Sequence, residues 1–326
     1  MTYSVHTFEI RCEVPKKYTA EAYKRSKGKY RVYEKPDDVH NIDAFVKQGI
    51  RATVRKKKCK HYLEMIINPT VLLGGEDYNK LWKPTEENIA TVLDELKKAV
   101  AKLGCKLKDF ELTRLDYCVN ADVGSHKKVK AYISTLQNLG KVKGYEPKFK
   151  KSDTKIDKKR SFDLTGNSNG IDFTVYDKEK QLESENISSS KAEGILRIEV
   201  KLTKAKAIKK YTSEKGVSDR LYDLCADCED NFRRVFEKIV PDGDFYRLSE
   251  AKDIISKSGL KKKRQQKMTA LLETIPKKKS LQLAQKKLGY RDIGSVMEWF
   301  NAQGLSPICV SKRCEYKQLL SLYYYL

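Results

Sequence analysis

Three short segments carry polar side chains at every second position, the spacing that lines one face of a β-strand. In Ile171–Tyr176 the odd set Ile171, Phe173 and Val175 is apolar, and the even set is Asp172, Thr174 and Tyr176, with Lys178 just beyond. In Leu196–Leu202 the apolar positions are Leu196, Ile198, Val200 and Leu202, and Arg197, Glu199 and Lys201 face the other way. In Leu112–Tyr117, Arg114 and Asp116 share a face opposite Leu115 and Tyr117. If the three strands are neighbours, a tyrosine, two carboxylates and several cations meet on one patch. That set has a use at a phosphodiester. A phenol, with a free pKa of about 10, becomes a nucleophile when a cation or metal favours its phenolate. Carboxylates suit Mg²⁺ or Mn²⁺, and arginine or lysine stabilises charge on the attacked phosphate. The competing account is the solvated face of a half-exposed antiparallel sheet, which satisfies any one of these strands taken alone.

The elements that must position these residues follow from periodicity and punctuation. Tyr62–Ile67 reads as a strand, closed by Asn68-Pro69 and Gly74-Gly75 as turn signals. A helix is expected from Pro84 to Lys102, with Thr85 as N-cap and Ile89, Val92, Leu93, Leu96, Val100 and Leu103 on one face. A strand over Phe110–Asn120 and a helix over Ser125–Leu139 follow, and 141–159 reads as a basic loop. Thr165–Gly170 is a turn between strands Arg160–Leu164 and Gly170–Tyr176, a hairpin. A helix over Asp177–Ser190 leads to the strand Ile195–Leu202. Beyond Ala205 the pattern is helical, with breaks near Gly216, Pro241-Asp242-Gly243, Gly259, Pro276 and Gly289. The expected fold is α+β: an antiparallel-rich sheet with helices packed on one face, then a small all-helical C-terminal domain. The boundary falls near residue 240, giving a domain over 1–240 and another over 241–326.

The 326 residues include 67 lysines and arginines against 44 acids, a formal net charge of +23. Such an excess favours a phosphate-rich partner, because binding releases the polyanion's counterions. With 40% hydrophobic residues the chain can build a core, which excludes wholesale disorder. No uncharged apolar run approaches the ~20 residues that span a bilayer. The first residues show no signal-peptide pattern, so the expectation is a cytoplasmic protein with no membrane partner. The eight cysteines are then expected as reduced thiols. Cys225 and Cys228 have metal-ligand spacing, and Cys309 with Cys314 is a looser pair, but the helical context favours ordinary buried thiols over zinc.

Leu112–Asp116, Phe173–Lys178 and Leu196–Lys201, in that order, resemble the motifs of rolling-circle replication initiators. The similarity is to the filamentous-phage replication endonucleases and the phage and plasmid initiators, and more distantly to Gram-positive plasmid Rep proteins. Tyr62–Gly75, a strand with an Asn-Pro turn, adds a fourth match. The resemblance covers about residues 60 to 210. It implies that Tyr176 attacks a phosphodiester at a replication origin, giving a 5′-phosphotyrosyl enzyme and a 3′-OH primer. Lys178 would assist the nucleophile. Asp116, Glu199 and Glu64 would hold Mg²⁺ or Mn²⁺. Arg114 and Arg197 would contact phosphate or else pair with those carboxylates, and Lys201 joins them at the phosphate. Origin DNA, single-stranded or melted at the nick, and the host helicase and polymerase are the implied partners; monomer and homodimer both stay open. Many nickases bind metal through two histidines one residue apart. The histidines here are His6, His40, His61 and His126, so that spacing is missing and the metal site is expected to be built mainly from carboxylates. Tyrosine recombinases are disfavoured for the same reason, and Tyr323-Tyr324-Tyr325 reads as packing.

Between Lys252 and Lys279 stand ten basic residues against two acids. Lys261, Lys262, Lys263 and Arg264 open a helix there and are read as contacts to the DNA backbone, against the alternative of a solvated face. The tail is either a helix-turn-helix or a small helical bundle. The rival to an endonuclease is a non-enzymatic DNA-binding regulator, in which the sheet only supports the tail. An RNA-binding sheet fits less well, because Phe173 and Tyr117 fall on the expected core side.

Overall fold

The computed structural model describes residues 2–18, 30–33, 39–75, 80–148, 161–187 and 190–326. In chain order, strands β1 (Ser4–Val14), β2 (Tyr30–Tyr33), β3 (Val39–Ile42), β4 (Ile50–Lys57) and β5 (Lys60–Ile67) come first. Asn68 ends β5, and its side chain accepts from the amides of Thr70 and Val71. With Pro69 at the first helical position, the expected turn is therefore a one-turn helix, α1 (Pro69–Leu72). Helix α2 (Glu86–Lys102) has the cap foreseen for it, Thr85 accepting from the Asn88 amide, and the expected apolar stripe is buried. Strand β6 (Glu111–Asp122) is followed by α3 (His126–Leu136), capped by Ser125.

The second half begins with β7 (Glu146–Pro147), β8 (Ser161–Gly166) and β9 (Ile171–Asp177). β8 and β9 form the expected hairpin, in which Gly170 takes a φ of 72° that a side chain would resist. The expected loop is outside the described residues from 149 to 159, as is Arg160 of the expected strand. Helix α4 (Lys178–Ser184) stops well short of Ser190, because Asn186 turns the chain at a φ of 57°; 188–189 of that expectation are outside the described residues. Strand β10 (Ile195–Leu202) and the short α5 (Ala205–Ile208) follow. The helical stretch expected between Gly216 and Pro241 divides at Asp227 into α6 (Val217–Ala226) and α7 (Cys228–Ile239). The tail holds β11 (Phe245–Tyr246), α8 (Leu248–Lys257), α9 (Lys262–Lys278), α10 (Leu281–Lys287), α11 (Gly294–Ala302) and β12 (Gln318–Leu319). Pro276 sits within the last turn of α9, and the break comes at Lys279, whose φ is 47°.

The fold is α+β, and it divides into two compact units. One comprises residues 2–118 and 201–232. Its strands run in the order β2-β3-β4-β5-β1 with the first part of β6 at the end, each adjacent pair antiparallel. Val5, Phe8 and Ile10 of β1, Leu63, Met65 and Ile67 of β5, and the α2 stripe are buried apolar residues of this unit.

The other unit comprises residues 119–200 and 233–326. Its strands run from the end of β6 through β10, β9 and β8 to β7. Residues 241–326 share this unit with α3, β8 and β9, yet have a core of their own, in which α9 packs against α8, α10 and α11 through Met268, Leu271, Leu272, Ile275 and Phe300. This tail is helical apart from the antiparallel β11–β12 ribbon. It is tied down by name: the Tyr132 hydroxyl donates to the Leu320 carbonyl at 2.9 Å, the Ser280 hydroxyl to the Lys141 carbonyl at 3.2 Å, and Phe236 meets Tyr323 ring to ring. Residue 240 thus enters as a proposed functional boundary inside one packed unit.

Candidate functional site

Strand β9 carries Tyr176 next to its last residue and its neighbour β10 carries Glu199; the Tyr176 hydroxyl donates to Glu199 Oε1 at 2.7 Å. The alternation expected for both strands holds for the apolar sets, which are buried. The opposite sets are not a solvated face. Arg197 is 1% exposed, Glu199 2% and Asp172 7%. Burying an ionised group costs several kcal/mol unless it is paired or hydrogen-bonded, so these positions must be provided for. Arg197 Nε donates to Asn120 Oδ1 at 2.7 Å. Asp172 accepts from Lys148 at 2.7 Å and from the Thr165 hydroxyl at 2.8 Å. Lys178 is the first residue of α4 rather than a continuation of β9, so the two-residue spacing from Tyr176 no longer guarantees a shared face. It is buried, and its ammonium donates to Gln181 one helical turn on.

In the other unit, Asp116 is 1% exposed and held on three sides. Arg114 forks onto it, with Nε at 2.9 Å from one oxygen and Nη2 at 2.5 Å from the other, and the Thr7 hydroxyl adds a bond of 3.0 Å. Arg114 thus pairs with a carboxylate, and a phosphate contact stays a proposal. Glu64, on β5, is ion-paired with Lys57 and lies 3.6 Å from Arg55, both on β4 across the hairpin. Lys201 is half-buried near the end of β10. Lys261, Lys262, Lys263 and Arg264 are exposed around the start of α9. There the Arg264 guanidinium lies 5.2 Å above the Trp299 ring, and one turn on Lys267 lies 5.8 Å from Tyr290.

Among the described residues, one group of three metal-ligating side chains comes together, and sequence reasoning missed it: His126, Asp177 and Glu179, whose ligand atoms all lie within 4.8 Å of one another. His126 opens α3, while Asp177 closes β9 and caps α4 by accepting from the Lys180 amide. His126 Nδ1 is 2.9 Å from Asp177 Oδ2 and 3.4 Å from Glu179 Oε2. The available signal was the Asp-x-Glu following a strand. A search for paired histidines passes over it, since His126 stands 51 positions before Asp177.

The cysteines are free thiols. Burial pushes the Cys225 and Cys309 thiols up to about 12 and Cys228 higher still. Such groups hold no thiolate at neutral pH, as expected for packing thiols.

No protein-family model matches the chain, and no curated protein matches it at a significant level. Among solved structures, it is similar to a rolling-circle replication initiator protein from Geobacillus stearothermophilus, with 10% sequence identity, 73% of this chain and 85% of that chain covered, and a TM-score of 0.34. At that distance the reading of the site rests on its own residues. Among the described residues, no helix is long and apolar enough to cross a membrane.

Proposed function

We propose that the chain is a replication initiator that nicks one DNA strand at an origin with Tyr176 as nucleophile. The observation that carries this reading is the 2.7 Å hydrogen bond from the Tyr176 phenol to the buried Glu199 carboxylate, a nucleophile already touching a base. In the reaction the bond from Tyr176 Oη to phosphorus forms and the bond from phosphorus to the 3′ oxygen breaks. The phenolic proton passes to Glu199, and the 3′ oxygen leaves with a proton from solvent. The products are a 5′-phosphotyrosyl protein and a 3′-OH, a primer for host polymerase with host helicase opening the duplex. Lys178, Arg197 and Lys201 are the cations proposed to orient the phosphodiester. Lys261, Lys262, Lys263 and Arg264 are proposed to hold the DNA backbone outside the site.

The chemistry calls for Mg²⁺ or Mn²⁺, which when bound would neutralise charge developing on the phosphate. The carboxylates first proposed for it fit unevenly. Asp116 and Glu64 each face cations of the protein, and Arg114 must release an oxygen of Asp116 before that oxygen can serve an ion. Glu199 accepts a hydrogen bond from the Tyr176 hydroxyl.

The test is incubation with single-stranded DNA from the element's own origin in the presence of Mn²⁺. An adduct that survives SDS and is lost in Tyr176→Phe supports the reading. An adduct that persists undiminished in that variant overturns the assignment of the nucleophile, and no adduct with any divalent metal favours a non-enzymatic DNA-binding regulator.

A further inference from the structure

We infer that His126, Asp177 and Glu179 form a transition-metal site. Three observations carry it. The donor set is mixed, one imidazole nitrogen with two carboxylates, and their ligand atoms fall within 4.8 Å of one another. Two ligands each about 2.1 Å from a shared ion stand roughly 3.0–4.2 Å apart, and the separations of 2.9 and 3.4 Å from His126 Nδ1 are close to that range. Next, His126 Nδ1 is buried and makes no hydrogen bond, although carboxylate oxygens lie 2.9 and 3.4 Å away. A protonated imidazole clamped between two carboxylates would direct its N–H at one of them. A lone pair directed at a shared ion needs no such alignment, and a buried polar atom left without a partner costs about 1–3 kcal/mol. Lastly, the ion pairs of Asp177 and Glu179 are with His126, while Lys180 on the same helix pairs with Glu183 and acts on both only through a longer-range attraction.

Donor type selects the ion. Mg²⁺ prefers oxygen throughout, whereas imidazole with carboxylates suits Mn²⁺, Fe²⁺ or Zn²⁺. The site stands apart from the nicking reading, because Asp177 follows Tyr176 directly and strand alternation turns the two side chains to opposite faces of β9. Its role is positional: the ion ties the first residue of α3 to the β9–α4 junction, the segment that also carries Tyr176 and Lys178.

The test uses the full chain and Mn²⁺ alone, with no DNA. Electron paramagnetic resonance is expected to show a bound Mn²⁺ whose spin-echo modulation reports a directly coordinated nitrogen, distinct from any ion held by oxygen ligands alone. His126→Ala should remove that modulation and weaken binding by about tenfold or more. Glu179→Gln, which leaves the cap from Asp177 intact, should weaken binding but keep the modulation. Circular dichroism of the metal-free variants establishes that each is folded. The inference is overturned if no Mn²⁺ binds, if it binds without nitrogen modulation, or if the modulation persists in His126→Ala. Failure of the nicking reading would show as an absent DNA adduct and would leave these outcomes unchanged.

Discussion

Tyr176 and Glu199 are joined by a 2.7 Å hydrogen bond from phenol to carboxylate, between adjacent strands β9 and β10. The acceptor is buried, so replacing it alters the reaction more than the fold if the replacement keeps its shape. Glu199→Gln should lower the rate of strand cleavage by about 10²- to 10⁴-fold, the usual contribution of a positioned base. Tyr176→Phe should abolish the covalent adduct while changing stability by only about 1 kcal/mol. Single-turnover cleavage and urea denaturation, run on the same preparations, separate the two effects.

The Arg114 fork on Asp116 is expected to be structural in size. Arg114→Met leaves a buried carboxylate with only the Thr7 hydroxyl, and should cost about 1–3 kcal/mol, below the figure for a fully buried pair because the guanidinium is partly exposed to solvent. Adding Asp116→Asn should recover part of the loss. A double-mutant cycle that gives a coupling below about 0.5 kcal/mol would remove the fork from the structural account.

Replacing Lys261, Lys262, Lys263 and Arg264 together by glutamine should weaken duplex binding and flatten its salt dependence. Each lost phosphate contact lowers the slope of log K against log salt by about 0.9. Cleavage of a single-stranded oligonucleotide should be unaffected. Removing the whole tail is a poorer experiment, because truncation near residue 245 strips Tyr323 from Phe236 and the Leu320 carbonyl from Tyr132. An unchanged slope in the quadruple variant would mean that these side chains are a solvated face.

Thiol reactivity should sort by burial. Cys59 is exposed and should react first with a thiol reagent at pH 8, followed by the half-buried Cys314. Cys225 and Cys309, with thiols pushed up to about 12 by burial, should react only as the protein unfolds. Their folded-state pKa lies above the unfolded value, so the folded protein holds the thiol form at pH 8, and the stability this contributes is lost as pH rises past the unfolded thiol pKa toward 12. Mass spectrometry of a timed alkylation reads the order directly.

Gly140 has a φ of 52°, and a side chain there would place its Cβ 2.1 Å from the Lys279 carbonyl oxygen. Backbone cannot yield as a flexible side chain can, so Gly140→Ala should destabilise by about 1–3 kcal/mol. Its effect should be larger than that of Gly144→Ala, where φ is also positive but nothing lies within 4 Å. Equal losses in thermal melts would show that the close approach to Lys279 does not matter.

How far the sequence carried depends on what each pattern encodes. Alternation in Ile171–Tyr176 and Leu196–Leu202 correctly separated the core side from the polar side, and Thr85 correctly marked the start of α2. Alternation cannot report whether the polar side is covered, and that is why the burial of Arg197 and Glu199 had to come from the structure. Strand β1 was legible too over most of its length, since Phe8, Ile10, Cys12 and Val14 alternate with Glu9, Arg11 and Glu13, and its period of two breaks only between Val5 and Phe8. The group at His126 was only half legible for another reason: Asp177-x-Glu179 stands in the sequence after a strand, but chain separation hides its meeting with the start of α3.

The contact between Gly140 and Lys279 bears on how such a protein can change over time. A tail held at backbone level, by a glycine on one side and a left-handed lysine on the other, is not an interchangeable accessory. Grafting a different tail onto this chain would require a matching turn at 140, a partner for the Tyr132 hydroxyl and a ring to meet Phe236. Exchange of the tail between related chains is therefore expected to travel with the α3 region as one inherited block, with the crossover falling before residue 119 rather than at residue 240.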